Sequence, residues 1–173
     1  LVNFESLNQY GLIFEMRLPL SLTCHQNQDQ PLTVLTKVIA NSSNTRFIIN
    51  HAGFPPTDTR SLEWQQWQNN LSILASHPNT VIKCSGWEML DREYCEQWLS
   101  HCLSTCIDIF SLERVMLASN FPLCLFSHEN YNNYWLSIIN TDVMSQYNGQ
   151  QKSALLYNNA LKFYKLPFKS TVK

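Results

Sequence analysis

The sequence predicts an α/β fold, the C-terminal half of a (β/α)8 barrel: four βα units plus a terminal helix, forming a single partial domain over residues 1–173. Four short apolar or β-branched runs carry the prediction: Leu12-Ile13-Phe14, Phe47-Ile48-Ile49, Val81-Ile82-Lys83-Cys84 and Val115-Met116-Leu117-Ala118. Each reads as a strand buried on both faces. Their starts recur at intervals of 35, 34 and 34 residues, and a helical pattern follows each. Eight such units would need about 270 residues, the size typical of a closed barrel. The first half is therefore expected upstream of Leu1.

The helices follow from spacing. After the first run, a short helix is expected over Leu32–Ala40. After the second, Ser61 caps a run whose Trp64, Trp67, Leu71 and Leu74 share one face, and Pro78 ends it. The third run is followed by the stripe Leu99, Leu103, Cys106 and Phe110, with Asp91 as the expected cap. Tyr131, Tyr134, Trp135 and Ile138 form the next stripe, and Ala154, Tyr157, Leu161 and Tyr164 the last. Aromatics on such stripes are read as core packing.

Composition narrows the function. With 45% hydrophobic and 14% charged residues the chain is globular, and a net charge of -1 gives no basic field for nucleic acid. No apolar run is long enough for a membrane span and no signal-peptide pattern opens the chain, so a cytoplasmic location is expected. The six cysteines Cys24, Cys84, Cys95, Cys102, Cys106 and Cys124 contain no CxxC and read as reduced structural thiols. Cys102 and Cys106 could form half of a metal site, but no second pair completes it.

In such folds the chemistry lies at the C-terminal ends of the strands. Those ends present Glu15, Met16 and Arg17; Asn50, His51 and Gly53; Lys83, Ser85, Gly86 and Trp87; and Ser119 and Asn120. His51, directly after the second run, is the leading functional candidate, although a lone histidine is otherwise commonly structural. Lys83 is either a partner for a substrate carboxylate or one half of a salt bridge. Glu15 either orients His51 or pairs with Arg17, the pair being favoured. Asn120 hydrogen-bonds in both senses but has no titratable proton, so it is no general base. Ser85, Trp87, Lys83 and Glu15 are the expected substrate contacts.

The ordered strings FIINHAGFPP, LASHPNTVIKCSG and RVMLASNFPL resemble the amidohydrolase-related family of metal-dependent hydrolases, which is similar to lactonases acting on sugar lactones and pyrone dicarboxylates. The resemblance spans about Gly11 to Leu166. It implies a (β/α)8 barrel that hydrolyses C–O or C–N bonds, with a divalent metal such as zinc in some members. By the same resemblance, His51 polarises the substrate or ligates the metal, and Asn120 stands where many members carry a water-activating Asp. The sequence departs from that pattern. Its histidines His25, His51, His77, His101 and His128 never fall two apart, so the His-x-His of the first barrel strand is absent and no complete metal site is encoded. Ser111 stands where Gly is common, and Leu123-Cys124 replaces Val-Asp.

The expected parent protein is a hydrolase opening a small lactone or cleaving a related C–O or C–N bond, its substrate a lactone or carboxylated ring. The alternatives are a catalytically inactive binding protein and a gene fragment without activity of its own. A half-barrel also has exposed strand edges through which two copies could associate.

Overall fold

The computed structural model describes residues 2–21 and 29–167; Cys24 and His25 lie outside the described residues. The elements, in chain order, are α1 (Val2–Gln9), β1 (Ile13–Met16), α2 (Asp29–Asn41), β2 (Arg46–Ile49), α3 (Leu62–Ala75), β3 (Thr80–Cys84), α4 (Glu96–Phe110), β4 (Val115–Leu117), α5 (Tyr131–Ile139), α6 (Asp142–Ser145), α7 (Gly149–Ser153) and α8 (Asn159–Tyr164). The strands form one sheet in the order β1-β2-β3-β4, every pair parallel. Consecutive parallel neighbours joined by helices are the arrangement of a barrel wall. All four apolar runs became strands. Helix α1, which precedes the first run, has no counterpart in the sequence reading.

Strand alternation sorts the side chains onto two faces. Phe47, Ile49, Ile82, Cys84, Val115 and Leu117 point toward the helices and join the main core, with Trp67, Leu71, Leu74, Leu99, Leu103 and Phe110 all but fully buried against them. Ile48, Val81 and Met116 point the other way, where Ile13, Ala160, Phe163 and Tyr164 cover them. The C-terminal helix thus lies on the face that a closed barrel turns inward.

Local chemistry sets the helix ends. The Ser61 hydroxyl accepts from Trp64 N at 3.1 Å, as the sequence predicts. Asp91 does not cap α4: its carboxylate accepts from Glu93 N inside the preceding turn, and Cys95 holds the N-cap position without a side-chain bond. The last stripe is also corrected. A π-helical turn over Ala154–Asn158 inserts a residue and rotates the face, so Leu155 and Asn159 are buried while Tyr157 is exposed. Asn159 then donates to the carbonyls of Leu112 and Val115 at 2.7 and 2.8 Å, pinning this segment to the foot of β4.

Candidate functional site

His51 sits on an unusual backbone. His51, Ala52, Gly53 and Phe54 all have positive φ, at 53°, 51°, 67° and 59°, and Phe54 N donates to His51 O at 2.8 Å, closing one left-handed turn directly after β2. Left-handed geometry costs a non-glycine residue roughly 1–2 kcal/mol. Bonds from three other residues hold it there. Trp67 Nε1 donates to Ala52 O at 2.8 Å, Leu20 N to Gly53 O at 2.9 Å and Ser21 Oγ to Phe54 O at 3.2 Å. Strain over-determined by its surroundings is a mark of a functional turn.

The loop after β3 completes the setting. Ser85 Oγ lies 3.1 Å from His51 Nδ1, leaving Nε2 as the nitrogen that can meet a ligand. Gly86, at φ +74°, lets the ring approach: a Cβ built there would fall 2.4 Å from His51 Nδ1. Burial, then the charges of Arg17 and Lys83, depress the imidazole pKa, so His51 is neutral near pH 7.

Asn120 lies at the end of β4, also in left-handed geometry at φ 54°. Its Nδ2 donates to Glu88 Oε1 at 2.5 Å. One loop, Ser85 to Met89, therefore touches both leading candidates, His51 through Ser85 and Asn120 through Glu88.

The remaining candidates fall elsewhere. Lys83 Nζ and Glu15 Oε2 form an ion pair at 2.8 Å, on the inward face of the sheet. Asn50 Nδ2 donates to the same oxygen at 3.0 Å, and the Tyr164 hydroxyl donates to Glu15 Oε1. Burial raises the Glu15 pKa, but the hydrogen bonds of Lys83, Tyr164 and Asn50 outweigh it and hold the carboxyl below its ordinary value. The expected Glu15–Arg17 pair is thus corrected, because Arg17 projects from the strand end toward Phe54 and Met89 instead. Trp87 is corrected as a substrate contact: it is fully buried, edge-on to Trp98 at 5.8 Å, and supports the loop from beneath.

Two residues of the site were not among the expected substrate contacts or catalytic residues. Glu88 is one. Arg17 is the other: it is exposed, its guanidinium carbon lies 5.6 Å from the centre of the Phe54 ring, and among the described residues it makes no ion pair. Its position at the end of β1 was the available signal.

A divalent metal fits the described residues poorly. No three His, Cys, Asp or Glu side chains among them converge on one point, and of the carboxyls near the strand ends Glu15 is engaged by Lys83, Asn50 and Tyr164 and Glu88 by Asn120. Cys102 and Cys106 are fully buried, and burial first, then Cys84 nearby, pushes both thiols up. They are core residues.

A parallel βα wall with polar side chains gathered at its carboxyl ends defines a chain of the TIM-barrel class, here about half of one. It belongs to the amidohydrolase family, whose pattern matches residues 3–166. The L-fucono-1,5-lactonase of Burkholderia multivorans is 28% identical over 129 residues, 69% of this chain and 43% of that protein. Among solved structures, an amidohydrolase from Burkholderia multivorans with bound zinc superposes with a TM-score of 0.77 at 22% identity, covering 96% of this chain and 57% of the other. A 2-pyrone-4,6-dicarboxylic acid hydrolase from Pseudomonas putida gives 0.68 at 20% identity, covering 96% and 56%. The chain thus spans 40% and 43% of the length of the curated relatives it matches. Among the described residues no helix is long and apolar enough to cross a membrane.

Proposed function

We propose that this chain contributes one side of a hydrolase active site that opens a small lactone, or cleaves a related C–O or C–N bond, in a substrate carrying a carboxylate. The observation that carries the reading is the single loop, Ser85 to Met89, that fixes both His51 and Asn120 at the carboxyl ends of the strands. Arg17, exposed beside them, is a cation for the substrate carboxylate. Lys83, already neutralised by Glu15, is not needed for that task.

In this reading water attacks the carbonyl carbon, the ring C–O bond breaks, and the proton of the water passes to the departing ring oxygen to give the hydroxy acid. With the Ser85 hydroxyl donating to Nδ1 in this reading, neutral His51 presents Nε2–H to the oxygen on which charge develops. Asn120 accepts a hydrogen bond from the attacking water through Oδ1, because its Nδ2 is turned toward Glu88. The small-molecule partner is supported by the lactonase and pyrone hydrolase relatives.

The test is turnover on a panel of small lactones by the wild type and by His51→Ala. Loss of a donor to the developing oxyanion should lower kcat about 10²–10³-fold. Equal turnover in the two proteins refutes the role of His51. The neutral amide at Asn120 favours a second reading, a binding protein that holds such rings without opening them. Measurable wild-type turnover excludes it.

A further inference from the structure

We propose that Glu88 is a positioning residue of this site, one that locks the Asn120 amide with Oδ1 facing the reaction. This deepens the hydrolase reading and rests on it only for the kinetic arm of the test. Glu88 is 4% exposed, lies in the turn after β3, and makes its one hydrogen bond to Asn120. Its second oxygen, Oε2, is buried without a partner, as are Trp87 Nε1 and Tyr94 Oη in the same stretch of chain. A carboxylate that makes so few bonds is a costly thing to bury. Core stability is a poor reason to keep it there.

The pairing accounts for an amide at position 120. An Asp in that place would set two carboxylates against each other at hydrogen-bond distance, and they could not both ionise. With Asn, the one carboxyl is on the loop after β3 and the amide bonds to it. An amide left alone can present either Oδ1 or Nδ2 to the cleft. The bond from Nδ2 to Glu88 Oε1 turns Nδ2 inward and Oδ1 outward, which gives the attacking water an acceptor. Neighbouring groups offer no substitute charge. Burial first, then Glu88 itself, pushes the Tyr94 hydroxyl and the Cys124 thiol up, so both stay neutral.

The experiment compares wild type, Glu88→Gln and Glu88→Ala. The first readout is the Asn120 side-chain amide by NMR in the full chain, which needs no activity. One Nδ2 proton should resonate downfield and exchange slowly in the wild type, move upfield in Glu88→Gln, where a neutral carbonyl still accepts, and lose both features in Glu88→Ala. The second is kinetic. Glu88→Ala should lower kcat about tenfold or more with KM nearly unchanged, and Glu88→Gln by a smaller factor. An Asn120 amide proton indifferent to Glu88→Gln overturns the proposal, and so does a kcat lowered equally by both variants. If the wild type turns over no lactone, the hydrolase reading fails while the NMR arm still decides the role of Glu88. If Glu88→Ala does not fold, the isosteric Glu88→Gln decides alone: an upfield shift with reduced kcat upholds the proposal and no change refutes it.

Discussion

Gly86→Ala tests how tightly the site is built. The new methyl would lie 2.4 Å from His51 Nδ1, 2.9 Å from His51 Cγ and 2.9 Å from Met89 Cε. The Met89 side chain can move aside, since thioether chains adapt. The His51 ring cannot move cheaply, because it stands on a left-handed turn tied down by Trp67, Leu20 and Ser21. Three costs follow. An alanine at φ +74° is strained by about 1 kcal/mol. Tilting the ring away from Ser85 gives up a hydrogen bond worth about 1 kcal/mol. The residual overlap adds about 1 kcal/mol more. The expected loss is about 3 kcal/mol, which for a domain of this size lowers the melting midpoint by about 6–12 °C. Urea unfolding and thermal melting read the first effect, and the His51 ring resonances read the second. A variant that melts within about 1 °C of wild type, with those resonances in place, would refute the reasoning about the contact.

Trp67→Phe removes the indole N–H that holds Ala52 O, leaving a buried carbonyl unpaired on the strained turn, and should cost about 2 kcal/mol in urea unfolding. The Phe54 amide should also lose protection from hydrogen exchange in this variant; full retention there counts against the tether. The depressed imidazole of His51 makes a signed prediction for pH. Above its ordinary value of 6.5 the group is neutral in both the native and the unfolded chain, and its contribution to stability is intact. As pH falls below 6.5 the unfolded chain takes up the proton first, so stability drops until the lower native pKa is passed. His51→Gln should flatten that part of the pH–stability curve, and a wild-type slope that survives the substitution assigns it to another group.

The sheet was legible because parallel strands buried on both faces must be apolar along their length, and the 34 to 35 residue spacing repeats wherever one strand, one helix and two loops recur. Phe47 to Ile49 and Val115 to Leu117 could be read that way without any knowledge of partners. His51 was legible by position alone. Its backbone was not, since nothing in Asn50-His51-Ala52-Gly53 marks a run of left-handed residues; the donors that impose it come from Leu20, Ser21 and Trp67, and the Trp67 ring reads simply as core. The C-terminal stripe failed for a local reason, because one π turn shifts every later residue around the helix axis. The favoured Glu15–Arg17 pair failed for a distant one, while Lys83 took the salt-bridge alternative: the choice of Lys83 and Glu15 for each other over a ligand or Arg17 depends on the register of β1, β2 and β3. Asn120 is the most instructive case. Along the chain it is an amide at a position where the family resemblance implies an Asp. In space the Glu88 carboxyl, 32 residues earlier, lies 2.5 Å from the amide. The amide and Glu88 therefore form one unit, and a substitution at either position has to be read as a change to both.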